Sequence, residues 1–237
     1  MEIDYSDIKV IGFDADDTLW VNETYFREAE LQFAKLLAPY ETANTIDQEL
    51  FRTEIGNLEF YGYGIKSFVL SMVECGLQLS NNSLPNEAIS KMLDIGKDML
   101  NKPVELLDGV EETLKSLYKD YKLILVTKGD LLDQERKLAK SNLEVYFHHI
   151  EVVSDKQPLN YKKLLDHLEI RPEEFLMIGN SLKSDVLPLI ELGAKAVHVP
   201  FHTTWMHEQV EEHVLKEYPY ETLSSLLEIK KKLTAPN

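Results

Sequence analysis

Residues 10–20 read VIGFDADDTLW, a short apolar run followed by the aspartates Asp14, Asp16 and Asp17 within four positions. Carboxylates so close together repel one another and resist burial, so positive charge must compensate them. Carboxylates also act as nucleophiles, as general acids or bases and as ligands of hard divalent cations. The segment therefore indicates a catalytic or cation-binding site, with a loop of turn-forming acids as the alternative.

Short apolar runs that resemble residues 10–13 predict the strands that position such a site. Three of them end in polar or small residues and cover 121–130, 174–181 and 194–200, and a weaker one covers 148–155. Near-continuous apolar runs are typical of strands buried on both faces of a parallel sheet. Helical patterns separate the runs over residues 106–200, which predicts βαβ units and a doubly wound α/β sheet with helices on both faces.

Two helices of this part of the chain have clear start and stop signals. GVEETLKSLYKDY predicts a helix that starts after Gly109, because its apolar residues recur at helical spacing. SDVLPLIELGA (184–194) predicts a helix with Ser184 as N-cap and Gly193 as the residue that ends it. Residues 221–237 predict one more helix and a frayed tail.

Residues 21–103 have a different pattern. Four segments in this range carry apolar residues three or four positions apart, which predicts helices. The block lies between the first and second predicted strands. We therefore expect an all-helical domain, residues 21–103, inserted into an α/β domain formed by residues 1–20 and 104–237 and packed over one end of the sheet.

Polar side chains follow the predicted strands at their carboxyl ends, which is where open α/β sheets bind ligands. The residues that carry a carboxylate, ammonium, hydroxyl or amide there are Asp14, Asp16, Thr18, Thr127, Lys128, Asp155, Lys156, Asn180, Ser181 and Asp185. A sheet that otherwise buries hydrocarbon has no structural need for this set. We expect these side chains to form one site, except Asp155, which is interpreted, like Asp17, as a loop acid without a chemical role.

The order of these residues is that of a known family. Asp14-Ala15-Asp16-Asp17-Thr18 resembles the DxDxT motif of the haloacid dehalogenase (HAD) superfamily. Thr127, Lys156 and GNSLKSD (179–185) follow in the order of that family's strand-end Ser/Thr, its lysine and its acidic fourth motif. The helical insertion is similar to the family's C1 cap. The resemblance spans nearly the whole chain and implies a HAD-like Rossmannoid core with a helical cap.

The resemblance also implies catalytic roles. Asp14 is the nucleophile that forms an aspartyl-phosphate, Asp16 is the general acid, and Thr127 and Lys156 hold the phosphoryl group. Lys156 is preferred to Lys162 and Lys163, which the helical pattern assigns to a solvated face. An anionic carboxylate can attack an anionic phosphate only when the charges are neutralised, which predicts Mg²⁺ as cofactor.

The implied Mg²⁺ ligands are Asp14, the Asp16 carbonyl and the fourth motif, through Asn180 and Asp185. The family usually has Asp where this chain has Asn180, so Asp185 is expected as a ligand or as an orienter of metal-bound water. The family usually has Gly where this chain has Asp17. Lys128, beside Thr127, is either a substrate contact or a solvated residue.

The preferred function is a Mg²⁺-dependent phosphatase acting on a small phosphorylated metabolite, with the cap opening and closing over the site. A phosphomutase of the same family is the alternative. A haloacid dehalogenase needs neither a second acid nor a metal, so Asp16 and Asp185 count against it. A non-catalytic binding protein that keeps the fold is a further alternative.

Composition argues against other classes of partner. The chain has 25 Lys and Arg against 41 Asp and Glu, a formal net charge of −16, which argues against nucleic acid and against anionic membranes. No apolar run approaches the roughly 20 residues that span a bilayer. The N-terminal sequence lacks the basic-then-apolar order of an export signal. Cys75 is the single cysteine and is expected to pack in a core, in a protein of the reducing cytoplasm.

Overall fold

The computed structural model describes residues 3–211, 213, 218 and 220–234. The chain divides into two compact units. The first consists of Met1–Val21, Val104–Lys128 and Arg136–Asn237, and the second consists of Asn22–Pro103 and Gly129–Glu135. Within the part of the chain that is described, no helix has the length and hydropathy needed to cross a membrane.

A parallel sheet forms the centre of the first unit. Its strands are β1 (Val10–Phe13), β2 (Lys122–Lys128), β3 (His149–Val153), β4 (Phe175–Gly179), β5 (Lys195–His198) and β6 (Glu221–Thr222), in the spatial order β3-β2-β1-β4-β5-β6. Every neighbouring pair is parallel. The predicted α/β class is confirmed. The sequence did not predict β6, which has only two residues and no apolar run.

Side-chain alternation along β1 explains why the sheet is covered on both faces. Val10 packs in one apolar cluster, whereas Ile11 and Phe13 pack in another, and all three are buried. Gly12 is required for close packing, because a Cβ there would lie 2.6 Å from a ring carbon of Phe175. The strand is therefore fixed on both sides up to the residue that precedes Asp14.

Four helices make up most of the second unit: α1 (Glu23–Leu37), α2 (Ala43–Tyr61), α3 (Ile65–Leu79) and α4 (Asn86–Asn101). Each lies within or close to one of the four predicted helical segments. Their apolar faces form a separate core in which Cys75 is fully buried, as expected for a packing residue. In the same unit Lys66 Nζ donates to Asp130 Oδ1 at 2.9 Å, which attaches the segment Gly129–Glu135.

The remaining α-helices of the described residues are α5 (Val110–Leu117), α6 (Leu131–Ser141), α7 (Pro158–His167), α8 (Leu187–Glu191) and α9 (Leu226–Thr234). Helix α5 begins directly after Gly109, which has a φ of +77°, as the pattern predicted. Helix α9 confirms the predicted C-terminal helix, and the predicted frayed tail at 235–237 lies outside the described residues.

The prediction of Ser184 as an N-cap was wrong. A single π-helical turn, Leu182–Val186, precedes α8, and its N-cap is Ser181, whose Oγ accepts the N–H of Ser184 at 3.0 Å. Pro188 lies in the first turn of α8, where its missing N–H costs no hydrogen bond. The turn begins three residues earlier than predicted and brings Asp185 back against Gly179, where a Cβ would lie 2.2 Å from Asp185 Oδ2.

Candidate active site

Asp14 is the first residue after β1, and its carboxylate is buried at the carboxyl end of the sheet. Asp14 Oδ1 accepts a hydrogen bond from Lys156 Nζ at 2.5 Å. Asp14 Oδ2 accepts one from Thr18 Oγ1 at 2.9 Å, and Thr18 Oγ1 itself accepts the N–H of Asn180 at 3.0 Å. The fold therefore brings together residues from the first, third and fourth predicted motifs around one carboxylate.

Lys156 carries the positive charge of this cluster. Its side chain is 2% exposed, and Nζ also donates to Asp185 Oδ1 at 2.7 Å. Asp185 Oδ2 accepts the N–H of Ser181 at 3.0 Å, so both oxygens of Asp185 are engaged. Lys162, in contrast, forms an exposed pair with Asp166 within α7.

The carboxylates of Asp14 and Asp185 share the single ammonium of Lys156, so this buried cluster has more negative than positive charge. Burial raises the pKa of Asp14 to about 7, although the Lys156 charge opposes the rise, and Asp185 adds to it. Burial alone would lower the pKa of Lys156, but Asp14 and Asp185 outweigh it and hold this pKa well above its usual value. Lys156 is therefore charged, and the cluster favours one additional positive charge.

The Asp16 side chain is oriented by two donors. Trp20 Nε1 and Lys137 Nζ each donate to Asp16 Oδ1 at 2.7 Å. Sequence reasoning missed both partners. Lys137 lies in α6, 121 residues away along the chain, and Trp20 has the appearance of an ordinary apolar core residue in the sequence.

The Asn180 amide completes a group of converging oxygens. One terminal atom of this amide lies 3.1 Å from the Asp16 carbonyl oxygen and 3.2 Å from both Asp14 Oδ2 and Thr18 Oγ1. If this atom is the amide nitrogen, it can donate hydrogen bonds to these three oxygens. If it is the amide oxygen, it faces other acceptors, and a cation bound among these oxygens would offset their repulsion. His198 Nε2 lies 3.0 Å from the Asn180 carbonyl oxygen, a contact that restrains the main chain here.

This donor set fits a small hard cation. Mg²⁺ binds oxygens at about 2.0–2.1 Å in an octahedron, so neighbouring ligand oxygens lie roughly 2.9 Å apart. The distances of 3.1 Å and 3.2 Å from the Asn180 amide atom to the Asp16 carbonyl oxygen and to Asp14 Oδ2 are close to that spacing. Among the residues that the structure describes, no three His, Cys, Asp or Glu side chains form a metal cluster. A metal here would instead use a carboxylate, a main-chain carbonyl and an amide.

Thr127 and Lys128 end β2, the strand beside β1. The Thr127 side chain is buried. Lys128 Nζ donates to Glu208 Oε1 at 2.5 Å and to Ser184 Oγ at 2.9 Å. Burial alone would raise the pKa of Glu208, but Lys128 and two serine hydroxyls outweigh burial and lower it to about 2. The sequence did not predict a role for Glu208, because this residue belongs to no motif and lies in the segment that follows β5.

A haloacid dehalogenase-like hydrolase family model matches residues 8–193. The chain belongs to this family. A solved haloacid dehalogenase-like family hydrolase from Xanthomonas campestris is 34% identical, with a TM-score of 0.84, covering 99% of this chain and 94% of that one.

Two curated relatives are named as phosphatases. The N-acylneuraminate-9-phosphatase of Mus musculus is 23% identical over 94% of this chain and 93% of its own length. The glyceraldehyde 3-phosphate phosphatase of Pyrococcus furiosus is 28% identical over 51% of this chain and 52% of its own length.

The backbone conformation of Asp17 explains why aspartate is tolerated where haloacid dehalogenase-like hydrolases usually have glycine. Asp17 has a φ of +62°, the left-handed conformation in which glycine is unstrained and in which Asp is among the better-tolerated side chains. Its N–H donates to the Trp20 carbonyl at 2.7 Å. The turn that follows Asp16 therefore keeps the conformation that the family's glycine would favour.

Proposed function

We propose that this protein is a Mg²⁺-dependent phosphatase that hydrolyses a small phosphorylated metabolite through an aspartyl-phosphate on Asp14. The observation that carries the proposal is the environment of the Asp14 carboxylate. One oxygen accepts from the buried Lys156 ammonium, and the other faces the Thr18 hydroxyl and the Asn180 amide. The phosphatase names of the two curated relatives support the same reaction class.

In the first step an Asp14 oxygen attacks phosphorus, the bond from phosphorus to the ester oxygen breaks, and the electron pair leaves with that oxygen. Lys156 lowers the repulsion between the carboxylate and the phosphoryl oxygens, because its ammonium lies against Asp14. Thr127, at the adjacent strand end, is proposed to hydrogen-bond the phosphoryl group. Lys128 as a direct substrate contact stays a prediction.

Asp16 is proposed as the general acid of the first step and the general base of the second. It protonates the leaving oxygen, and then takes a proton from the water that attacks phosphorus and releases phosphate from Asp14. Trp20 and Lys137 hold its carboxylate through Oδ1, which restricts its side-chain rotamers. A general acid that must reach the same leaving group in every turnover benefits from this restriction.

Mg²⁺ is proposed to bind Asp14, the Asp16 carbonyl oxygen and Asn180. When bound, it supplies positive charge that offsets the carboxylates and the phosphate. Asp185 was predicted as a ligand or as an orienter of metal-bound water. Since its two oxygens already bind Lys156 and the Ser181 N–H, we propose that it acts on the cluster by orienting Lys156.

The alternatives differ in what becomes of the phosphoryl group. A phosphomutase would return it to the substrate and release no phosphate. A dehalogenase would use Asp14 without a second acid. The oriented Asp16 carboxylate counts against the dehalogenase, and the phosphatase names of the two curated relatives favour hydrolysis over the mutase. The cap over the site and the reducing cytoplasm stay predictions.

Hydrolysis of p-nitrophenyl phosphate by the purified chain tests the reaction class. We expect hydrolysis that requires Mg²⁺, stops with EDTA and falls by about a thousandfold or more in Asp14→Asn. Asp94→Asn is the matched control, because Asp94 makes an exposed pair with Lys97 in α4. Full activity of Asp14→Asn, or equal rates with EDTA, would contradict the proposal.

A screen of phosphorylated metabolites with phosphate release as the readout identifies the substrate. It should include N-acylneuraminate 9-phosphate and glyceraldehyde 3-phosphate, the compounds for which the curated relatives are named. Isomerised sugar phosphate without free phosphate would favour the mutase.

A further inference from the structure

Glu208 binds three side chains, one at the end of β2 and two in the segment after β4. Its Oε1 accepts from Lys128 Nζ at 2.5 Å, and its Oε2 accepts from Ser184 Oγ at 2.6 Å and from Ser181 Oγ. Lys128 Nζ also donates to Ser184 Oγ, which closes the network. The side chains of Glu208 and Lys128 are 11% and 16% exposed, so water competes little for these bonds.

The order of the strands shows that this network joins segments from opposite sides of β1. Lys128 is the last residue of β2, whereas Ser181 and Ser184 follow β4. Strands β2 and β4 lie on opposite sides of β1, whose end carries Asp14. Strands β2 and β4 each pair with β1 and not with each other, so no direct main-chain hydrogen bonds join the segments that follow them. The Glu208 carboxylate connects these two segments through its side-chain hydrogen bonds.

The loop that carries Glu208 is itself fixed to the fourth motif. Residues Met206–Glu208 form a short 3₁₀ helix after β5. Lys183 Nζ donates to the His207 carbonyl oxygen at 2.7 Å. The fourth motif is itself held by the Tyr161 hydroxyl, which donates to the Ser184 carbonyl oxygen at 2.9 Å. The main chain that carries Glu208 is therefore held in place, and Glu208 connects the end of β2 with the segment after β4.

We propose that Glu208 is a positioning residue that fixes the spacing between the phosphoryl-binding end of β2 and the segment after β4. It acts through Lys128, whose ammonium it holds, and it does not contact the reacting atoms. The inference rests on the proposed phosphatase function and adds to it a residue from outside the four motifs. Loss of the Glu208 charge should widen or loosen the phosphoryl site.

The test compares Glu208→Gln with Glu211→Gln, a control with the same change of charge on a side chain that is 81% exposed. For each enzyme we would measure kcat and KM for p-nitrophenyl phosphate and the inhibition constant of inorganic phosphate. Displacements of this kind in a binding site are costly, so we expect KM and the phosphate inhibition constant to rise together by about tenfold in Glu208→Gln, with a smaller change in kcat. Glu211→Gln should match the wild type.

A double-mutant cycle with Lys128→Met tests whether Glu208 acts through Lys128. Non-additive effects on the phosphate inhibition constant are expected, because either change breaks the same connection. If Glu208→Gln does not fold, Ser184→Ala removes one hydroxyl of the network, and a rise of about threefold in both constants is expected.

Two outcomes separate this inference from the proposed function. An active wild type whose KM and phosphate inhibition constant are unchanged in Glu208→Gln would overturn the inference alone, and a lower melting temperature with unchanged constants would do the same. A wild type that neither hydrolyses phosphate monoesters nor binds inorganic phosphate would overturn the proposed function, and the inference with it.

Discussion

Replacing Lys156 with methionine would leave the carboxylates of Asp14 and Asp185 buried without the ammonium that both now contact. Methionine has a similar length, so the loss is of charge and hydrogen bonds more than of packing. Breaking a buried ion pair by removing one partner costs about 3–5 kcal/mol. For a chain of this size that corresponds to a fall in melting temperature of roughly 10 °C.

The pH dependence of this loss follows from Asp14. Burial raises the pKa of Asp14 and Lys156 opposes the rise, so without Lys156 this pKa rises further, and at low pH the carboxyl takes up a proton and loses the charge that burial penalises. The destabilisation of Lys156→Met should therefore be larger at pH 8 than at pH 5. The double variant Lys156→Met/Asp185→Asn removes one of the two orphaned charges, so it should recover part of the lost stability but not the activity.

Urea unfolding in EDTA, at pH 5 and pH 8, measures these differences without a contribution from bound metal. Lys162→Met is the matched control on an exposed pair and should change the free energy of unfolding by less than about 0.5 kcal/mol. If Lys156→Met unfolds within 1 kcal/mol of the wild type at pH 8, the Lys156 ammonium does not compensate a buried charge cluster.

Two further predictions concern the helical unit and the fourth motif. Burial raises the pKa of Glu54 to about 8 and that of Glu30 to about 7, so the folded helical unit binds more protons than the unfolded chain and loses stability as pH rises from about 4.5 to 8. Glu54→Gln should therefore raise the melting temperature at pH 9 by a few degrees and flatten its pH dependence, and an unchanged pH profile would contradict this. Gly179→Ala would push a Cβ into Asp185, so we expect a loss of about 1–3 kcal/mol in urea unfolding and reduced activity. Gly56→Ala, whose Cβ meets nothing within 4 Å in a helix, should not destabilise the chain and is its control.

The parts of the site that the sequence predicted are those next to strand ends. An apolar run followed by polar residues locates both the strand and its carboxyl end. Parallel pairing then brings Asp14 and Asn180 to one edge, because β1 and β4 are neighbours. Lys156 followed from the same logic, since it comes soon after β3. The helical segments of residues 21–103 were predictable from spacing alone.

The missed residues are those whose roles depend on long-range packing. Glu208 and Lys137 contact the site from a loop and from a helix, where a single charged residue gives no pattern. The N-cap was misplaced because Ser181 and Ser184 are both suitable residues, and the π turn that selects Ser181 has no sequence period of its own. Strand β6 is too short to produce an alternation.

In the proposed reaction Asp14 attacks phosphorus, while Lys156 and a divalent cation would offset the negative charge. Acid quenching of a single turnover with ³²P-labelled p-nitrophenyl phosphate and Mg²⁺, followed by peptide mapping, tests it most directly. An acid-stable label is expected on the peptide that contains Asp14, and it should be absent in Asp14→Asn. Turnover without a label on the protein, or a label on another residue, would contradict it.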